Sequence, residues 1–384
     1  MSYSRLKKGD STVTIRVMCA IVFVVFSLAW LYCFQADVLA MAQRVLSGGV
    51  THYNKVLGTL VVTAVLYVLQ LVVNGITRLD IRLHALTYAP SMLLLAILTG
   101  VTYHVDEGLT LSFSWWALFL VLIGYGVFVL IAHHLLSTGE YEGLGIVSRP
   151  MWVNMLLMAV SMMSVAYIGN TNAIFHYRMQ MEGLLQEGKY DDALEVGKKS
   201  LESDEHLLML RMYALARQGG LGEHLFEYSI TGNSSQILPT NGASYMLLCP
   251  TDSLYKFLGA RPTEPLVPQR YLELLQRRDS VPQKAIADYL LCGYLIDRQI
   301  DKFAQEISNY YPIDDHLPKH YKEALTLYNH MRSHPVISYS TPVMEEDFSN
   351  LQELERQYAD AQERKVKVSE HYRGTYWYYY RYEP

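Results

Sequence analysis

Asp37, His52, His104, Asp106 and Glu107 are the side chains of this sequence best suited to act in concert. Carboxylates and imidazoles gathered at a water–lipid boundary can serve as general bases or hold a divalent cation. Asp37 and His52 are the candidate catalytic pair, and His104, Asp106 and Glu107 are candidate binding residues. Solvation of two polar loops explains the same five residues equally well. The signatures of common chemistries are missing: the sequence has no Gly-rich phosphate loop with its Lys, no His-Glu-x-x-His and no Gly-x-Ser-x-Gly. His133 and His134 are adjacent, so on a helix they point about 100° apart and suit an interface better than a chelate. Four cysteines without a Cys-x-x-Cys pair suggest no zinc or redox centre. Cys249 and Cys292 would pair only in an oxidising compartment and only if the fold brings them together. No metal or cofactor is implied.

The elements that must position these residues are membrane helices. A bilayer core of about 30 Å takes roughly 20 apolar residues of helix. Five long charge-free stretches meet that need, between Arg16 and Asp37, Lys55 and Arg78, Arg82 and Asp106, Glu107 and Glu140, and Arg149 and Arg178. They place spans near 17–36, 57–77, 84–104, 113–135 and 150–170. The first apolar run is longer than the 7 to 15 residues typical of a cleaved signal, so it is read as a retained helix. Arg5, Lys7, Lys8, Arg16, Arg78, Arg82 and Arg149 fall on one side of these spans and only Arg44 and Lys55 on the other. Basic loops stay in the cytoplasm, which puts the N-terminus inside and whatever follows the fifth span outside. Trp30, Tyr32, Tyr103, Trp115 and Trp116 then form the outer aromatic belt, with Trp152 at the inner face. Residues 37–50 have apolar side chains at helical spacing and read as an interfacial helix ended by Gly48 and Gly49. All five candidate residues thus fall near the outer ends of the first three spans.

Composition changes sharply after residue 170. Residues 1–170 hold nine Lys/Arg and seven Asp/Glu, whereas residues 171–384 hold 23 and 30. An acidic globule repels polyphosphates, so nucleic acid is excluded as a partner. Short amphipathic helices joined by Gly-centred turns dominate here. Leu184 to Leu194, with Gly188, Tyr190 and Ala193, matches the inner part of a tetratricopeptide (TPR) repeat, and Gly219 to Leu225 is a weaker copy 31 residues on. A third hairpin is expected at Lys284 to Pro312. Helices over Pro318–Met331 and Glu345–Lys365 should carry the charge pairs Lys319 with Glu323 and Asp360 with Arg364. The terminal run Thr375 to Tyr382 reads as an interfacial or interdomain anchor, or as an aromatic surface for glycan or peptide stacking.

The segments Gln35 to Leu39, Gly48 to Tyr53, His84 to Ser91, Ala214 to Tyr228 and Thr375 to Tyr379 resemble a family of uncharacterised integral membrane proteins from Bacteroidota, in which several transmembrane helices precede a TPR-like domain. The resemblance implies a bacterial inner-membrane location and brings no activity. The placing of Asp37 in the first outer loop, ahead of an interfacial helix, loosely resembles the GT-C class of membrane glycosyltransferases, which use lipid-phosphate sugar donors. Five spans are fewer than that class has, and its paired acidic motif is missing. The expectation is therefore an all-α protein of two parts, a transmembrane domain over 1–170 and a TPR-like domain over 171–384. Its partners are membrane lipid and a protein docked on the hairpins, or the hairpins cap the membrane domain. No Asp, Glu, Lys or Arg lies inside a span, and Gln70, Asn74 and Asn154 are the polar residues left for a transport pathway.

Overall fold

A computed structural model describes residues 2–104, 108–111, 114–136, 148–278 and 283–383, and the chain divides into two compact units, Met1–Asn172 and Ala173–Pro384. The first unit runs α1 (Ser2–Ala29), a π-helical turn (Trp30–Phe34), α2 (Ala36–Leu46), α3 (Lys55–Thr77), a 3₁₀ segment (Ile81–Tyr88), α4 (Ala89–Thr99), β1 (Val101–His104), β2 (Gly108–Leu111), α5 (Trp115–Leu136) and α6 (Arg149–Ile168). Five stretches are long and apolar enough to cross a membrane: Val13–Phe34, Lys55–Thr77, Ile81–Thr99, Trp115–Ala132 and Arg149–Ile168. The fold is all-α, and among the described residues the sole sheet is the antiparallel hairpin β1–β2, with Val101 opposite Leu111.

The third span departs from expectation at both ends. It does not reach residue 104, because α4 stops at Thr99. A Cβ on Gly100 would lie 2.8 Å from the Ile168 carbonyl oxygen, so the chain passes tightly against the end of α6 before entering β1. At its start the span is 3₁₀ rather than α, with Leu83 at φ −123°, ψ 23°. Such a break frees backbone groups that have no water to turn to in a bilayer. Asn154 of α6, fully buried, supplies the partners. Its Nδ2 donates to the carbonyls of Ile81 (2.9 Å), Arg82 (3.1 Å) and Pro150 (2.8 Å), and its Oδ1 accepts the Ala85 N–H at 2.6 Å. From α3, Gln70 Nε2 donates to Thr87 Oγ1 at 3.0 Å, Thr87 donates to the His84 carbonyl at 2.8 Å, and Ser91 of α4 donates to the Leu66 carbonyl at 2.8 Å. Gln70 and Asn154, two of the three polar residues left for a transport pathway, are thus bound into the helix–helix contacts.

The opposite end of this bundle is also tied by polar side chains. Trp30 Nε1 donates to Thr99 Oγ1 at 3.2 Å, Gln35 Nε2 to the Asn170 carbonyl at 2.9 Å, and the Asn170 N–H to the Thr99 carbonyl at 2.8 Å. Gly169 is required here, since a Cβ would sit 2.8 Å from the Trp30 ring. In α5, by contrast, apolar side chains from Trp115 to Ile131 are exposed on all faces, and Tyr125 Oη donates to the Leu86 carbonyl at 3.1 Å. Only lipid or another membrane helix makes such a surface stable.

The second unit is a helical array: α7 (Ala173–Gln186), α8 (Tyr190–Glu195), α9 (Glu205–Gln218), α10 (Leu221–His224), α11 (Thr251–Leu258), α12 (Pro268–Arg278), α13 (Lys284–Ile296), α14 (Ile300–Glu306), α15 (Lys319–Met331), α16 (Pro342–Gln357), α17 (Ala361–Tyr372) and α18 (Tyr376–Tyr382). Three hairpins, α7–α8, α9–α10 and α13–α14, turn by the same device. The residue after the first helix is left-handed, Gly188 (φ 75°), Gly219 (φ 72°) and Arg298 (φ 56°), and its N–H returns to the carbonyl three residues back while the next N–H returns five back. This is the Schellman pairing. The second helices are short, at 6, 4 and 7 residues. Arg298 stands where glycine costs less, but its guanidinium donates to the carbonyls of Tyr379 (3.3 Å) and Glu383 (2.6 Å), fastening the C-terminal helix.

Two expectations fail in this unit. Residues 345–365 are not one helix: the Asp360 side chain accepts the N–H groups of Gln362 and Glu363 and starts α17 afresh. The aromatic terminus is neither an anchor nor a stacking surface, because Tyr376, Trp377, Tyr378 and Tyr379 lie in the core, against Phe226 of the 225–227 turn and Phe348 of α16. Cys249 and Cys292 are buried free thiols, not a disulfide.

Replacing Asn154 with Ala strands the Ile81 and Arg82 carbonyls and the Ala85 N–H, and should destabilise the protein by about 2–4 kcal/mol. Thermal unfolding of the full chain in mild detergent checks this, and an unchanged midpoint would disprove the staple.

Candidate functional site

Of the five residues singled out from sequence, the structure describes the side chains of Asp37 and His52. Asp37 is half-buried in the first turn of α2, where a carboxylate complements the helix N-terminus. His52 is exposed in the extended segment between α2 and α3, and no hydrogen bond joins the two. His104 ends β1, its side chain lying outside the described residues, as do Asp106 and Glu107 entirely. The His133 side chain is likewise outside them. Among the described residues no group of three or more His, Cys, Asp or Glu is placed to hold a metal ion.

Buried titratable clusters in the second unit were not legible as sites, and the geometry shows what each does. Glu182 of α7, fully buried, accepts the N–H groups of Leu247 (2.6 Å), Leu248 (2.5 Å) and Cys249 (3.2 Å) and the Arg178 Nε at 3.2 Å. Burial pushes its carboxyl above the usual carboxylate range, against the pull of Arg178 and the three amides. Every donor here is structural, so the cluster pins the 245–249 loop to α7. Asp288 of α13 accepts the phenols of Tyr311 (2.6 Å) and Tyr321 (2.9 Å), and the Tyr321 Oη lies 3.5 Å from Cys292 Sγ. Burial raises both the Asp288 carboxyl and the Cys292 thiol. A thiol held protonated is not a nucleophile. A lone carboxylate in the apolar run Ala285 to Ile296 was the readable signal for this cluster.

The feature best suited to take a ligand is a cleft of about 740 Å³ where α15, α16, α17 and the start of α18 meet. Lys319, Glu323, Asp347, Asn350, Glu353 and Trp377 are among the residues that line it. The volume falls in the range of ligand pockets, about 300–1,000 Å³. The expected Lys319–Glu323 pair is not made. Lys319 Nζ donates instead to the Gly374 carbonyl at 3.3 Å, and Glu323 Oε2 accepts His320 Nδ1 at 2.9 Å and the Tyr376 N–H at 2.7 Å. Trp377 Nε1 donates to the Glu323 carbonyl at 2.7 Å, so α18 is sealed onto α15 directly behind the cleft. Gly222 of α10 supports α15 from another side, since a Cβ there would fall 2.6 Å from the Tyr321 ring.

Residues 268–383, which carry α12 to α18 and therefore the whole cleft, match a family of unknown function, DUF6057. No curated protein and no solved structure matches the chain. Several helices long and apolar enough to span a bilayer mark it as a multi-pass membrane protein.

Asp288→Asn keeps an acceptor for both phenols and removes a buried charge, so it should stay within about 1 kcal/mol of the parent at pH 7, whereas Asp288→Ala leaves two buried hydroxyls unpaired and costs about 2–3 kcal/mol. The folded carboxyl is raised, so ionising it costs the fold, and this cost vanishes as pH falls toward the unfolded value of about 4. The parent should therefore gain on the Asn variant as pH drops, which denaturant titrations at pH 7 and pH 5 would reveal.

Proposed function

We propose that the protein is a docking protein of a bacterial inner membrane, anchored by its five spans and presenting a TPR-like helical unit to a partner polypeptide in the periplasm. The cleft between α15, α16 and α17 is the observation that carries this reading: at about 740 Å³ it is a ligand-sized concavity in the segment that matches the family, larger than the one of about 450 Å³ beside Arg356 and Arg381. The short second helices of the hairpins suit the role, because helical-hairpin arrays present concave surfaces to other proteins. The cytoplasmic assignment of the N-terminus rests on the basic loops, and five spans then carry the helical unit across the membrane.

Two measurements test the reading. A photo-crosslinking residue at Asn350, exposed on the cleft wall, should give a discrete adduct in intact cells, whereas the same residue at Leu201, on an exposed turn away from the cleft, should give none. Equal adducts at both positions, or none at Asn350, would defeat the docking assignment. Because Cys249 and Cys292 are buried, sidedness needs an introduced thiol. Leu201→Cys in a Cys33→Ser background should react with an impermeant maleimide once the outer membrane is opened. Reaction only after lysis would place the unit in the cytoplasm.

A further inference from the structure

The floor of the cleft holds a buried carboxylate that makes no ion pair with Lys or Arg among the described residues. Glu323 is 1% exposed, and its neighbour His320 is fully buried. The Phe226 N–H points at His320 Nε2 at 3.3 Å, so that nitrogen must offer a lone pair. The imidazole proton therefore sits on Nδ1 and is donated to Glu323 Oε2, which leaves the ring neutral and the carboxylate charge uncompensated. The Tyr376 N–H adds a second hydrogen bond to the same oxygen, and Oε1 takes part in neither. Lys319 lines the cleft, but its ammonium is directed to the Gly374 carbonyl. A carboxylate withdrawn from water without a counter-charge is destabilising by several kcal/mol.

One wall of the cleft continues the same chemistry. Asp347, Asn350, Glu353 and Gln357 of α16 recur at helical spacing and all line it. They spread over about 15 Å of helix, the reach of four or five extended residues. That is longer than a single amine and fits a strand of polypeptide. The acceptors, carboxylate and amide oxygens, match a guanidinium, whose planar fork binds carboxylates in pairs.

We propose that the cleft takes an arginine-bearing peptide segment, one guanidinium pairing with Glu323 at the floor and a second with Asp347 or Glu353 on the α16 wall. This names the class of the docked partner and rests on the docking reading. The interaction is charge-assisted, so it weakens with salt.

The test uses the full-length protein in neutral detergent and a fluorescein-labelled peptide of alternating Gly and Arg, ten residues long. Its control is the same peptide with citrulline, a neutral isostere, in place of Arg. The Arg peptide should give saturable anisotropy, and binding should fall at least about tenfold for the citrulline peptide and for the Asp347→Asn, Glu353→Gln double variant. Glu323→Gln should act in the same direction. Because that change touches the His320 and Tyr376 contacts, the double variant, whose two side chains are exposed, decides the case if Glu323→Gln fails to fold. Equal binding of the two peptides, no saturable binding, or binding unchanged in the double variant would overturn the proposal. So would spermidine displacing the peptide at equal concentration, which would make the site one for a small organic cation. An adduct at Asn350 in cells without Arg-peptide binding would sink this inference and leave the docking reading standing. Peptide binding with no adduct would sink the docking reading and, with it, the assignment of such a peptide as the partner, leaving only a cleft with affinity for guanidinium groups.

Discussion

A backbone or side-chain polar group that leaves water must find a partner, and in this chain the strictest case is the broken start of the third span. Eight residues of 3₁₀ backbone, Ile81 to Tyr88, stand where a continuous α-helix would satisfy itself. Asn154 closes the gap by contacting two carbonyls and one amide of that segment, besides the Pro150 carbonyl of its own helix. That single residue fixes the rotation of α6, and with Gln70 and Ser91 it sets how α3, α4 and α6 meet. At the other end Trp30, Gln35, Thr99 and Asn170 repeat the solution with side chain to backbone bonds. The membrane unit is thus held by polar bonds at its two ends and by apolar packing between them, since lipid supplies no hydrophobic drive for helices to associate.

The same rule organises the second unit. Glu182 satisfies three successive amides of a loop that has no regular structure of its own. Arg298 accepts a left-handed backbone and in return binds the end of α18. Arg211, buried beside Tyr228, donates to Ser203 and to the Ser229 and Gly197 carbonyls and so gathers two loops around α9. Each is a charge or donor spent on a stretch of irregular chain. Glu323 is also buried and hydrogen-bonded, and among the described residues it makes no ion pair with Lys or Arg, but unlike Asp288 it lines a cleft.

Among the described clusters of the helical unit, Cys292 and Asp288 are held in a network of phenol hydrogen bonds. The α15–α17 cleft combines volume, a polar wall and an unbalanced charge. It lies inside the segment that matches the family of unknown function.

The sequence by itself determined the spans, because a bilayer demands length and the absence of charge, and both are local properties of the chain. It also determined the turns at Gly188 and Gly219, since a left-handed residue without strain must be glycine. The third hairpin is legible too, with helices on either side of Asp297 and Arg298, but what compensates the left-handed Arg298 lies 81 and 85 residues away at Tyr379 and Glu383. The third span is shorter than its charge-free stretch for a related reason: no formal charge stands before Asp106, yet the helix stops at Thr99, where Gly100 passes against the Ile168 carbonyl. The aromatic terminus was misplaced because composition states that such rings avoid water but not what covers them. Spacing pairs Glu323 with Lys319, four residues away, whereas its partners in the fold are His320 and the backbone of Tyr376, 53 residues on. Tertiary structure decided every one of these, because hydrogen bonds and charges are satisfied by whatever the fold brings within 3 Å, and sequence distance does not limit that choice.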